Sequence, residues 1–354
     1  MGGAFFLSML TTLLLGNIMT AEEFGDFALL KIFVLIGATF SIFGLDQGSI
    51  RQSIKGIPVI EYKIVNIISI VLSAVFAFAQ VIHNCWKFLL FIIVYFSFLR
   101  NIQIDINHLY LYLFIALTSI VIIHYYFKSS VLKCGKSTES KGFSNNVIKD
   151  GMILWMINVL GLVFAGMDRF IIPAIADKAT LGTYYAMSFI FITGFTVIGS
   201  AVGYVLFPYL TQGKVIAWKK VTFFLITVIA VLLILLLLGG KYFTALAFNG
   251  KYDFALQFNI IVPLCFLGIL QCAHTIIHFY IYAKSSNKVL INYTFYLFIY
   301  CIGYYLSFIL LARIIEYSIS SIILHILILW CLKVIMSIIM SCCISPKKSR
   351  LGLA

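Results

Sequence analysis

The sequence predicts an all-α protein: a polytopic membrane helix bundle of about eleven transmembrane segments in two lobes. Three observations lead there. The 354-residue chain is 63% hydrophobic and only 10% charged, with a mean hydropathy of +1.09, well outside the composition of soluble domains. Its apolar runs repeatedly reach the roughly 20 residues that a helix needs to cross the hydrocarbon core. None alternates as a barrel strand does, and in lipid each segment must satisfy its own backbone groups, so the runs are helices.

In chain order the runs fall at 3–20, 26–45, 63–83, 87–104, 108–127, 150–173, 182–208, 220–240, 254–282, 289–311 and 318–341. The first lacks a basic leader and a small-residue cleavage site, and further spans follow at once, so no cleavable signal is expected. Residues 1–127 form a first lobe and 150–341 a second, with a tail over 342–354. Between the lobes, 128–149 is a basic linker carrying Lys128, Lys133, Lys136, Lys141 and Lys149. The eight cysteines are scattered, mostly singly within spans apart from Cys342–Cys343, and read as small apolar packers.

Charge predicts orientation. The net charge of +13 lies in connections between spans, which excludes a nucleic-acid footprint. The tail SPKKSR, the loops around Lys284/Lys288 and Lys214/Lys219/Lys220, and the linker are expected in the cytoplasm, together with the C-terminus. In the first lobe, AEEFGD reads as an acidic outer loop, while Arg51, Lys55 and Lys63 read as inside. Alternation over five spans then puts the basic linker on the wrong side, so an even number is required. Either the first lobe has lost a helix, or 87–107, which ends in Arg100, Asn101, Gln103, Asp105 and Asn107, does not span.

A weak internal repeat makes the same demand. EFGDFALLKIFVLIG and TLGTYYAMSFIFITG each place a second glycine twelve residues after the first, Gly25 to Gly37 and Gly182 to Gly194. Two lobes related by an axis along the membrane normal would show such similarity, at an offset of six spans where five are counted.

Asp168 and Arg169 are the most informative residues, standing together near the end of GMILWMINVLGLVFAGMDRFIIPAI. A charge at mid-helix costs about 2.5–3.5 kcal/mol on insertion scales, and a polar translocation path is the usual return. Neighbours at i and i+1 point about 100° apart, so the two do not simply neutralise each other. Each needs a further partner, water, or a charged substrate.

At TAEEFGDFALLKIFVLIGATFSIFGLDQGSIRQ the chain resembles the start of bacterial polysaccharide flippases, in which an acidic turn precedes a helix closed by Gly-Leu and then Arg. From Asn158 through MDRFII, ADKATLGTYYAMSFI and VLFPYL it resembles the opening of their second lobe. The resemblance covers about 100 residues. It implies a member of the multidrug/oligosaccharidyl-lipid/polysaccharide exporter superfamily, with normally twelve or more helices in two lobes around a central cavity. The implied substrate is an undecaprenyl-pyrophosphate-linked O-antigen or other polysaccharide repeat unit, a lipid-linked oligosaccharide, moved across the bacterial inner membrane by alternating access. Membrane lipids, and the polymerase and chain-length proteins of polysaccharide assembly, are the implied partners. No catalytic residues, metal or other cofactor are expected, and no nucleic acid.

On this reading Arg51, just past the cytoplasmic end of the second helix, receives the pyrophosphate, because guanidinium groups stay ionised and bind phosphate oxygens bidentately. Lys31 lies in the same helix towards its periplasmic end, and Arg169 lies towards the periplasmic end of the sixth segment, where release occurs. Asp168 orients Arg169 or another cation, or takes part in ion coupling. Arg51 also reads as a positive-inside anchor, Lys31 as a lysine snorkelling to the outer interface, and Asp168/Arg169 as outer-interface anchors. Arg100 reads as structural, and Arg313 and Glu316 as solvated at an outer loop. Pro173 and Pro208 close helices, whereas Pro263 lies inside a long segment and is a candidate gating hinge, with Gly37 and Gly194.

Other chemistries fit less well. His274 and His278 have the spacing of a zinc helix, but a general-base Glu and a third ligand are missing, so packing or hydrogen bonding within the bundle is expected. An O-antigen polymerase or ligase would need a large periplasmic loop rich in Arg and His, and no outer loop here exceeds about fifteen residues. A cation-coupled small-molecule exporter would favour buried acids in the first lobe, where Asp105 is the sole candidate.

Overall fold

The computed structural model describes residues 2–42, 145–212, 216–312 and 318–342, and among them the regular elements are all helices. The predicted spans at 63–83, 87–104 and 108–127 lie outside the described residues, as do Arg51, Arg100, Asp105, Arg313 and Glu316.

The first helix, α1 (Gly2–Ile18), gives way after two residues to α2 (Ala21–Ile42). Thr20 and Glu23 close a reciprocal box there: the Thr20 N–H donates to Glu23 Oε2 at 2.8 Å, and the Glu23 N–H to Thr20 Oγ1 at 3.3 Å. The AEEFGD stretch predicted as an acidic outer loop is therefore the opening of a helix. Glu22 and Glu23 are acidic because they face the positive end of the helix dipole.

Helix α3 (Asn145–Ile175) begins within the stretch predicted as linker and carries Pro173 in its last turn. Asp177 then caps α4 (Lys178–Phe191), accepting the Thr180 N–H at 2.6 Å. The single span predicted at 182–208 is two helices, since α4 breaks at Ile192 before α5 (Thr193–Thr211). The Ile192 carbonyl there accepts from both Phe195 N–H (3.1 Å) and Thr196 N–H (3.2 Å), a local tightening of the helix.

Helix α6 (Trp218–Phe248) ends in left-handed Asn249 and Gly250, with the Gly250 N–H returning to the Ala245 carbonyl at 2.9 Å. A short 3-10 turn (Asp253–Ala255) leads into α7 (Phe258–Lys284), followed by α8 (Asn287–Ala312) and α9 (Ile319–Cys342). Pro263 is the sixth residue of α7, so it sits in the second turn and not deep inside the helix. Among the described residues six helices, α3 and α5 to α9, are long and apolar enough to cross a membrane. The protein is a multi-pass helical membrane protein.

Packing sorts these helices into a core and a lipid-facing shell. Helix α7 lies at the centre, against α5 on one side and α9 on the other, while α8 packs on α3, and α2 on α3 and α4. Lipid is as apolar as leucine, so close backbone approach and good packing hold such helices together. Gly199 and Gly268 provide it between α5 and α7: a Cβ on Gly199 would lie 2.9 Å from Cys272 Cα, and Gly268 makes room for the Phe195 ring. Helix α6 is the outermost, with Leu238 75% and Leu246 81% exposed, as a lipid-facing helix should be. The turn after α6 reaches across to α1, where Lys251 Nζ donates to the carbonyls of Gly16 (3.2 Å), Asn17 (2.8 Å) and Met19, the unpaired acceptors of a helix C-terminus.

Candidate functional site

The site is positioned by two glycines. Gly25 and Gly182, the leading positions of the predicted repeat, are in contact. The Lys178 carbonyl oxygen, four residues before Gly182, occupies the place of a Gly25 Cβ; the Ala21 carbonyl oxygen, four residues before Gly25, occupies that of a Gly182 Cβ. The contact is thus reciprocal, and the caps Thr20 and Asp177 each stand five residues ahead of their glycine. An Asp26–Lys178 ion pair at 3.0 Å flanks the crossing. Further along, Phe27 meets Tyr185 (ring centroids 6.4 Å) and Lys31 approaches Phe189 (5.9 Å), so α2 and α4 run in the same direction. A two-fold axis along the helices demands this geometry, and only glycine permits the approach.

This register delivers three of the predicted residues to one place. Lys31 does not snorkel outwards: its Nζ donates to Thr12 Oγ1 on α1 at 3.0 Å and lies 5.8 Å from the Tyr185 ring centroid. Arg169 comes from α3 to the same ring, its guanidinium carbon 5.0 Å from the centroid. Asp168 Oδ2 accepts the Tyr184 hydroxyl at 2.6 Å, and Oδ1 accepts the Arg169 backbone N–H at 2.9 Å. Each member of the Asp-Arg pair therefore has its own partner, as the 100° separation requires. Both carboxylate oxygens are engaged. Arg169 Nε is buried without a hydrogen-bond partner among the described residues. Two cations thus flank a buried tyrosine, one with an unused donor. The arrangement suits an anion, phosphate oxygens above all.

The predicted hinges are spread out. Gly194 stands two residues after the α4–α5 break, where a Cβ would come 3.0 Å from Leu232 on α6. Gly37 lies in the second half of α2, and Pro263 at the start of α7.

A second cluster escapes the sequence reading. Lys333, in the middle of α9, is only 1% exposed, with its Nζ 3.5 Å from the Phe164 ring centroid and 4.4 Å from that of Trp330. Nearby, the Tyr293 hydroxyl lies 3.1 Å from His278 Nδ1 and 3.5 Å from His274 Nε2. The two histidines are thus joined to α8 by hydrogen bonding. The Tyr282 hydroxyl, on the turn after His278, donates to Asn158 Oδ1 on α3 at 2.9 Å. The signal for Lys333 was one lysine within ILHILILWCLKVIMSIIM, where its neighbours hold the segment's hydropathy high.

Comparison with protein-family models, with curated proteins and with solved structures finds no match for this chain.

Proposed function

We propose that the protein is a flippase that moves undecaprenyl-pyrophosphate-linked repeat units of O-antigen, or of a related polysaccharide, from the cytoplasmic to the periplasmic leaflet of the bacterial inner membrane. The observation that carries this reading is the convergence of Lys31 from α2 and Arg169 from α3 on Tyr185 of α4, inside an apolar bundle. Charge at that depth is costly, and an anionic substrate that must pass the low-dielectric core repays it. The sequence resemblance supplies the substrate class.

The mechanism is binding, without bond making. Arg169 and Lys31 draw in the pyrophosphate and shed part of the desolvation cost of its negative charge. Tyr185 offers a face on which cations, or a sugar ring, can rest. Asp168, held by Tyr184, fixes the backbone that carries Arg169. In the proposed orientation Arg169 lies six residues from the end of α3, roughly 9 Å of rise, on the periplasmic side. Alternating access then opens this cluster first to one leaflet and then to the other.

The test is complementation of a strain that lacks its O-antigen flippase but keeps the matching sugar cluster, with surface polymer as the readout. The unaltered chain should restore polymer, Arg169→Ala should abolish it at normal protein levels, and Arg169→Lys should keep part of it. Full export by Arg169→Ala would remove this cluster from the path.

A further inference from the structure

A lysine at 1% exposure in the middle of a membrane helix requires an explanation that packing does not give. Against Lys333, from α7 come His274 and His278, and from α8 Tyr293, Tyr300 and Cys301. From α3 comes only the neutral ring of Phe164, with Asp168 and Arg169 a turn further on. Among the described residues Lys333 makes no ion pair. A bundle built to hold a permanent ammonium here would set a carboxylate against it, since aromatic faces return only part of the lost solvation. What surrounds Lys333 instead is a set of groups that gain and lose protons or pass them along hydrogen bonds. Imidazole, phenol and imidazole are joined through the Tyr293 hydroxyl, and a phenol–amide bond continues to α3.

We infer that Lys333 is a proton-binding site within the second lobe: it holds a proton when the space between α3, α7, α8 and α9 admits water, and gives it up when the helices close. In the step, one N–H bond of the ammonium breaks, the proton passes to water, and the electron pair stays on Nζ; nothing is oxidised or reduced. Helix α3 links this site to the anion cluster. Phe164, beneath Lys333, lies one turn before Asp168, and Tyr304 packs edge-on against Phe164 (5.1 Å). An anion bound at Arg169 offsets a positive charge near Lys333, so loading of an anion and loading of a proton favour each other. That last clause rests on the proposed transport function; proton binding itself does not.

Trp330 supplies the probe, because a charge 4.4 Å from its ring alters its emission. The chain has four tryptophans, and replacing Trp86, Trp155 and Trp218 by Phe leaves Trp330 as the reporter. Emission of the purified full chain in detergent should then titrate with a single midpoint within the pH range over which the protein stays folded. Lys333→Met, neutral throughout, and Lys333→Arg, charged throughout, should both be flat. Arg169→Gln should move the midpoint to higher pH by removing a neighbouring positive charge. No titration in the parent protein, or a titration that survives in Lys333→Met, overturns the site. An Arg169→Gln midpoint equal to the parent's overturns the link through α3. The measurement needs no substrate, so it stands apart from failure of the export assay.

Discussion

The two charged clusters of this bundle meet the same helix one turn apart and are built in opposite ways. Around Tyr185, Lys31 and Arg169 arrive from different helices, and the accompanying carboxylate is fully hydrogen-bonded. Around Phe164, a single amine is sealed among rings with neutral polar groups nearby. The first arrangement gathers positive charge where α2 meets α3 and α4. The second lies among α3, α7, α8 and α9, with a single amine enclosed by rings. Burial alone therefore does not define a site; what a buried charge is given for company decides what it can exchange.

The largest expected effect comes from breaking the α2–α4 crossing that assembles the first cluster. Gly182→Ala would drive a methyl group into the Ala21 carbonyl, backbone against backbone, with little room to relax. A loss of about 1–3 kcal/mol or more is expected, read as a lower unfolding temperature in detergent. Gly161→Ala and Gly303→Ala, where a Cβ meets nothing within 4 Å, should be neutral or slightly stabilising. The Trp330 titration should persist in folded Gly182→Ala, which separates the two clusters experimentally.

A smaller change isolates the carboxylate. Tyr184→Phe removes the hydroxyl donated to Asp168 at 2.6 Å while keeping the ring. Leaving that oxygen without its partner should cost about 1–3 kcal/mol, again by thermal unfolding. An unchanged unfolding temperature would show that water or another group already serves Asp168.

The smallest effect lies at the start of α4. Hydrogen bonds from Thr180 hold the Asp177 carboxyl below the usual carboxylate range. Because the folded-state value is depressed, the stabilisation is complete above the unfolded value near pH 3.9 and is lost as pH falls through the folded one. Asp177→Ala should cost about 1 kcal/mol at neutral pH, and the difference from the parent protein should vanish in acid. A constant difference down to the lowest pH at which the protein folds would assign the effect to something other than the carboxylate.

Much of this was legible beforehand, for physical reasons that differ from residue to residue. Apolar runs near membrane length declare themselves as helices, because lipid leaves the backbone no other solution. Asp168 and Arg169 stood out because charge in such a run is expensive, and the structure gives Asp168 a buried hydrogen bond to Tyr184. Of the glycines spaced twelve apart in the sequence, the structure brings Gly25 against Gly182. AEEFGD misled because acidic residues open helices as readily as they populate loops, and Thr20 with Glu23 decided between the two. The α4–α5 break at Ile192 carries no proline, and Gly194, two residues on and read as a candidate hinge, was its mark in the sequence.

The sequence by itself thus determined the solvent, the helical class and the cost of two charges, since these follow from sums over neighbouring residues. Only the tertiary structure decided which groups meet: that Gly25 lies on Gly182, that Lys31 turns inward to Thr12, and that Lys333 faces the rings of Phe164 and Trp330. The reason is that helices apolar on every side carry no face for a pattern to reveal. Their rotation is set by packing between partners far apart in the chain.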